Sequence, residues 1–318
     1  MRKQLLFLCF LFALGTVFFQ SCKKEASTNL PLQAGIFFSI ADTGTQVAFT
    51  ALTIQATSWN WTFGDGTTST DKSPVHIYAS GGYYTATLIG KDAKGDTASA
   101  KATLAVDVTP YILLTGGPTA GNGKTWKLNA SASTDRFTNS DATLSAYAGL
   151  PPGYDPLPAG IFGGTGLGMP EVYNDTYTFY FNGNYGHQVN STGAALTGYL
   201  YDLETAGGAD IVNPNGAKFD MVTATYTPQS GATFTYIASE NFAVPSVYGP
   251  PTYAVTYPGV STLNFSGTEF IGFHDIQRKV ILQSIADQSM TLVIFAAAAQ
   301  TYYPYATNAL ILNFIPAN

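Results

Sequence analysis

Residues 59–66 read Trp59-Asn60-Trp61-Thr62-Phe63-Gly64-Asp65-Gly66. Trp59, Trp61 and Phe63 alternate, so a strand through them turns all three rings to one face. Gly64-Asp65-Gly66 then reverses the chain: glycine supplies positive φ, and an aspartate side chain satisfies local backbone N–H groups. Outward from this point, strand-like runs separated by turn residues stand at Ile36–Ile40, Gln46–Thr50, Ser58–Phe63, Tyr83–Gly90 and Ala98–Val106. Residues 34–107 are therefore expected to form a small β-sandwich.

The rest of the composition agrees with strands and tight turns. Hydrophobic residues make up 46% of the 318 and charged ones 11%, too apolar and too weakly charged for a disordered chain. There are 20 Tyr and 21 Phe against 3 Trp, with 32 Gly and 17 Pro to break the chain into turns. The net charge of −6 argues against nucleic acid as a partner. All of the negative excess falls in residues 108–318, a weakly charged, acidic surface suited to a neutral ligand.

The run Trp61-Thr62-Phe63-Gly64-Asp65-Gly66 resembles the PKD (polycystic-kidney-disease) domain, an immunoglobulin-like sandwich. Pro74, His76 and Tyr78, then Gly82 and Tyr84, and the hairpin residues Asp92 and Gly95 extend the resemblance. It implies a spacer or interaction module of an extracellular protein. Asp65, Asp92 and Asp96 can be read as calcium ligands, which must converge, or as turn caps; capping is the favoured reading. His76 is expected to pack.

At the other end of this unit, Arg2 and Lys3 precede an apolar run from Leu5 to Phe19, too short to span a bilayer. A basic start, a short apolar core and small Ser21 describe an export signal over residues 1–21. Phe19-Gln20-Ser21-Cys22 resembles the lipobox of bacterial lipoproteins, which implies that Cys22 is lipidated and becomes the mature N-terminus. Cys9 would leave with the signal, so no disulfide is expected. Residues 22–33 then read as the lipidated cysteine and a tether, long enough at ~3.3 Å per residue to clear a headgroup layer.

Residues 108–318 open at Thr109-Pro110. Gly121-Asn122-Gly123-Lys124-Thr125 approaches a phosphate-binding loop, but Pro118 stands where that motif needs glycine and no helix follows. Lys124–Leu128 alternates like a strand. Tyr177, Phe179 and Phe181 alternate up to Asn182-Gly183, a strong hairpin signal. Further strands are expected at Leu196–Leu200, Lys218–Thr225, Gly231–Ile237, Thr262–Phe265, Phe270–Phe273, Lys279–Ile285, Met290–Phe295 and Leu310–Ile315, with no amphipathic helix. The whole chain is thus all-β: the immunoglobulin-like sandwich followed by a larger β-sandwich or jelly roll.

Long loops rich in Gly, Pro and aromatics lie between those strands, which is uncommon unless loops are functional. Residues 147–173 hold Tyr147, Tyr154, Phe162 and Tyr173; residues 245–258 hold Tyr248, Tyr253 and Tyr257; Tyr302, Tyr303 and Tyr305 come near the end. Tyrosines offer flat faces for sugar C–H groups and hydroxyls for hydrogen bonds. Strand aromatics such as Trp126, Phe179 and Phe181 are expected to pack the core. Tyr154, Tyr248 and Tyr253 are the expected sugar-stacking residues, with Asp155 an acceptor for sugar hydroxyls.

Leu114-Thr115-Gly116-Gly117, Gly123-Lys124-Thr125-Trp126-Lys127-Leu128, Tyr177-Thr178-Phe179 and the late run Phe265 to Leu292 carry a second resemblance. They are similar to PKD-containing surface lipoproteins of Bacteroidota, especially glycan-binding proteins of polysaccharide-utilisation systems. That resemblance implies an outer-membrane, lipid-anchored polysaccharide-binding protein, with the PKD unit as spacer and an outer-membrane glycan transporter as a possible partner. No catalytic constellation stands out. His76, His187 and His274 are scattered, Glu171 and Asp175 fall in a loop, and Glu204, Glu240 and Glu269 are isolated. No enzyme activity, cofactor or metal is expected. The alternative is a structural or adhesive lipoprotein whose second sandwich meets another protein; a broad apolar patch would favour it.

Overall fold

The computed structural model describes residues 30–41 and 44–317. Cys22, the export signal and most of the tether lie outside the described residues. The first unit comprises β1 (Gln33–Ile40), β2 (Gln46–Ile54), β3 (Ser58–Thr62), β4 (Thr68–Ser69), β5 (Val75–Ile77), β6 (Gly82–Lys91) and β7 (Thr97–Val106). They form two antiparallel sheets, β1-β2-β5 and β4-β3-β6-β7. Period-two alternation sends Val47, Phe49 and Ala51 from one sheet and Trp61, Tyr84, Ala86 and Leu88 from the other into one core. Trp61 meets Phe49 at 5.4 Å between ring centroids and donates its Nε1–H to Asp71 O at 2.9 Å. Trp59, expected inside with it, is only partly buried at the core's margin and hydrogen-bonds Thr53. Gly64 has φ +86°, and a Cβ there would lie 2.8 Å from both Thr85 N and Thr85 O, so the turn after β3 admits no side chain.

The join between the units is a short helix, where the sequence led us to expect no amphipathic helix. Thr109 caps α1 (Pro110–Thr115) through its Oγ1, Pro110 stands in the first turn, and Gly116 closes it with φ +81°. Six residues are too few to show a 3.6-residue period. α1 buries Leu114, whose carbonyl accepts the Trp126 Nε1–H at 2.9 Å. The start of β6 presses on this join: a Cβ on Gly81 would lie 2.1 Å from Asp107 O and 2.7 Å from Ile112 Cδ1. Thr119 Oγ1 donates to Tyr83 O at 2.9 Å.

The second unit contains β8 (Lys124–Leu128), β9 (Arg136–Asn139), β10 (Thr176–Phe179), β11 (Tyr185–Gln188) and β12 (Ala194–Thr197). After α2 (Tyr199–Ala206) come β13 (Ile211–Asn213), β14 (Val222–Thr225), β15 (Phe234–Pro245), β16 (Ala254–Phe265), β17 (Val280–Ala286), β18 (Ser289–Ala296) and β19 (Asn308–Pro316). The large antiparallel sheet runs β11-β10-β8-β19-β18-β17-β16-β15, with β9 beside β19. Its edges meet: Asn184 bridges Thr233, and Tyr185 N–H donates to Ala232 O at 2.8 Å. A smaller sheet, β12-β14-β13, accompanies it. Trp126, Phe179, Leu263, Leu292, Leu310 and Phe314 fill the main core.

β18 and β19 are apolar almost throughout because both their faces are covered. Met290, Leu292 and Ile294 face the main core; Val293 and Phe295 face a second cluster with Phe242, Val244, Val255 and Tyr257. The far half of the β15–β16 hairpin supplies that cover. Register shifts between Ile237 and Phe242 mark where the hairpin departs from regular pairing.

Four further sequence expectations change. Phe270–Phe273 is a buried irregular turn, with Gly272 at φ +71° and room beside it taken by Phe314. The run from Leu196 ends as a strand at Thr197 and continues as α2, and Lys218 lies in a 3₁₀ turn, Ala217–Phe219. Tyr257 belongs to β16 and is 5% exposed, so it is a core residue and not a loop residue.

Candidate functional site

The exposed tyrosines gather at one end of the second unit. Ser140 and Ser246, both fully buried, share a hydrogen bond at 3.0 Å; Ser140 Oγ also meets Ala306 O at 2.8 Å. Val247 N–H donates to Ala306 O at 3.1 Å, and Ser246 N–H to Tyr253 O at 2.8 Å. These bonds tie the segment after β9, the tip of the β15–β16 hairpin and the segment before β19 into one rigid base. Gly249 completes it, since a Cβ there would fall 2.0 Å from Ala254 O.

On this base stand Tyr147, Tyr248, Tyr253, Tyr302 and Tyr305, each 36–48% exposed. Tyr253 and Tyr305 lie ring to ring at 5.0 Å. Tyr253 has φ +49°, a left-handed conformation that costs a non-glycine residue energy and sets its ring direction. Tyr248 donates its hydroxyl to Asn139 Oδ1 at 2.9 Å, and burial together with nearby Asp141 pushes that hydroxyl's pKa up. Tyr147 packs edge-on against Phe137 at 5.3 Å. The exposed rings offer a surface for stacking and hydrogen bonding with an uncharged ligand.

Beyond Tyr147 the surface sinks into two adjoining cavities that share Lys218 and Phe219. The smaller, about 80 Å³, is lined by Tyr147, Gly149 and Asn308 as well. The larger, about 240 Å³, is lined by Leu150, Pro151, Tyr154, Leu157 and Met221 among others. Tyr248 and Tyr253 thus share one hairpin tip, while the half-buried Tyr154 belongs to the neighbouring cavity. Asp155 is engaged: Arg136 holds both its oxygens, at 2.9 and 3.2 Å, and that hydrogen bonding keeps the carboxyl below the usual range. Lys218 and Phe219 escaped the sequence reading because they were assigned to a strand; a Pro/Gly-flanked 3₁₀ turn has no periodicity to announce it.

The first unit's polar residues are occupied in turns. Asp65 Oδ1 accepts Thr67 N–H and its Oδ2 lies 2.7 Å from His76 Nε2, while His76 stacks on Phe63 at 4.2 Å. Asp92 Oδ1 accepts the N–H groups of Lys94 and Asp96, so neither aspartate turn needs a cation for its geometry. In the second unit His187 donates from Nδ1 to Glu269 Oε2 at 3.1 Å, both side chains fully buried, and Gln229 N–H donates to the other Glu269 oxygen. Among the described residues no three His, Cys, Asp or Glu side chains converge as a metal cluster, and no helix is long and apolar enough to cross a membrane.

Comparison with known proteins bears on the first unit. Collagenase ColA of Bacillus cereus is 42% identical over 53 residues, 17% of this chain and 6% of that protein. The chain thus spans only a small part of the curated relatives it matches. The PKD1 domain of the Vibrio cholerae metalloprotease PrtV is similar over 25% of this chain and all of that domain, at 29% identity and a TM-score of 0.23. A solved structure described as a carbohydrate-binding module of the β-sandwich superfamily covers 91% of this chain and 92% of its own, at 14% identity and a TM-score of 0.25. Residues 31–108 match the PKD domain family, and this part of the chain is a PKD domain.

Proposed function

We propose that this is a glycan-binding protein, not an enzyme, which holds polysaccharide on the tyrosine-bearing end of residues 108–318 while the PKD domain spaces that end from a membrane. The observation that carries the reading is the set of five exposed tyrosines on loops already fixed by the buried Ser140–Ser246 contact. Loops fixed before binding lose little entropy on it. Flat, uncharged rings suit a neutral sugar chain longer than one residue.

A glycan array with the whole protein selects the ligand, and calorimetry then measures the variants. Tyr248→Ala, Tyr253→Ala and Tyr305→Ala should each weaken binding by about 2- to 12-fold, from ~0.5–1.5 kcal/mol per stacked ring. The melting temperature should stay nearly constant, because these side chains cover no core. Tyr154→Ala reports whether the ligand reaches into the adjoining cavity. Unchanged affinity in all four variants would move the site elsewhere. A blank array would give the lead to a protein partner. That second reading has its own support in the outer face of β1-β2-β5, where Phe37, Leu52, Val75 and Ile77 stand exposed on one side of the sheet.

The membrane attachment belongs to the same proposal and rests on the Ser21-Cys22 sequence. Acylation at Cys22 would place the protein in the outer membrane, facing either the periplasm or the cell surface, with a glycan transporter as a natural neighbour. Cys22→Ala should release the protein or leave it unprocessed. Unaltered membrane partition and mature mass in that variant would count against the anchor.

A further inference from the structure

A group of buried carboxylates surrounds the start of α2, remote from the fixed turns of the PKD domain and unused by the tyrosine surface. Asp220 Oδ1 accepts the Leu200 N–H at 2.8 Å, and Asp275 Oδ1 accepts Ile276 N–H at 2.6 Å and Ala297 N–H at 3.2 Å. The second oxygens of both have no partner, and both converge on Gly198: a Cβ there would lie 2.1 Å from Asp275 Oδ2 and 3.3 Å from Asp220 Oδ2. One helical turn on, Asp202 is only 5% exposed and its Oδ2 is likewise unpartnered. It lines a cavity of about 120 Å³ with Asp210, whose buried Oδ1 also has no partner. Tyr201, Thr197, Tyr226 and His274 complete much of the wall.

Four carboxylates so placed need positive charge or protons. No ion pair among the described residues reaches any of them. Burial, the largest cause, pushes Asp220 up to about 8, with Asp275 adding to it, and Asp275 up to about 7. His274 cannot supply the charge, since burial lowers it to about 4. A buried charge is tolerated when it is paired or when it coordinates a metal. Carboxylate and hydroxyl oxygens predominate on the wall, the only nitrogen ligand type there being a histidine already 3.3 Å from the Tyr201 hydroxyl.

We infer that this cavity binds a divalent cation of the calcium type, with Asp202 and Asp210 as its carboxylate ligands. Calcium takes carboxylate, hydroxyl, carbonyl and water oxygens together, so two protein carboxylates with solvent access are a workable set. The site would fasten α2 to the β12-β14 sheet, since Asp202 belongs to the helix and Thr197 and Ala224 to those strands.

The test uses the full chain freed of metal by a chelator. Calorimetric titration with Ca2+ should show one bound ion, and Ca2+ at about a hundred times Kd should raise Tm of the second unit by roughly 5–10 °C. Terbium luminescence sensitised by Tyr201 and Tyr226 should rise in parallel. Asp202→Asn and Asp210→Asn should each weaken uptake at least about tenfold in the manner of a lost charged ligand, whereas Glu204→Gln, on the same helix, should not. Should Asp202→Asn not fold, the partly buried Asp210 gives the decisive variant. The inference is overturned by absence of heat and of any Tm change at ~5 mM Ca2+, above the range of extracellular calcium modules. It is equally overturned by uptake that survives both substitutions; in either case protons, not metal, neutralise the cluster.

Discussion

Glu269→Ala is expected to remove ~2–5 kcal/mol of stability, because it leaves two buried N–H groups without an acceptor at ~1–3 kcal/mol each. Glu269 and His187 are wholly enclosed, and His187 Nε2 already has no partner. Without the carboxylate, Nδ1 loses its acceptor as well, and Gln229 N–H is stranded beside it. The imidazole cannot swing out to water, because Tyr177, Tyr226 and Phe270 enclose its ring at 4.8, 5.4 and 5.0 Å. Glu269→Gln keeps one acceptor oxygen and should lose distinctly less. Urea unfolding of the three proteins provides the measurement. A Glu269→Ala protein within about 1 kcal/mol of the parent would show that the pair is replaceable by packing alone.

Trp61→Ala should be comparably severe, but confined to the PKD domain. The side chain is fully buried, touches Phe49 and lies stacked with Phe63 at 6.4 Å, and its loss leaves a cavity and removes the hydrogen bond to the Asp71 carbonyl. Truncation of a large core aromatic costs ~3–5 kcal/mol. In a domain of this size that lowers Tm by on the order of 15–30 °C. Residues 31–108, expressed alone, should fold cooperatively as the parent and fail or melt near ambient temperature as the variant. The second unit's transition in the whole protein should not move. A fragment with no cooperative unfolding would mean that the domain depends on its neighbour.

What could be read in the sequence was what is local. Trp61, Phe63 and the Gly64-Asp65-Gly66 turn lie within six residues, so period two and positive φ identify strand and turn without any distant partner. Asn182-Gly183 marked the β10–β11 hairpin for the same reason, with Gly183 at φ +87°. Phe270–Phe273 looked like a strand because its burial is strand-like, yet Gly272 bends it. Grouping is where sequence failed: Tyr147, Tyr248 and Tyr305 come together through Ser140 and Ser246, which are 106 residues apart. Arg136 likewise claims Asp155 across a loop whose course no pattern announces. The carboxylates around the start of α2 come from four separate segments, each unremarkable alone.

The close fit of Gly81 against Asp107 and Ile112 gives the join between the units a mechanical meaning. A chain with a slack hinge transmits only tension. Here backbone meets backbone with no side chain between, and Thr119 adds a tie from the far side to Tyr83. Bending at this point must compress atoms already in contact, so the two units resist sideways load like a bracket. A load applied to the far end of the second unit would therefore reach the PKD sheets as torque.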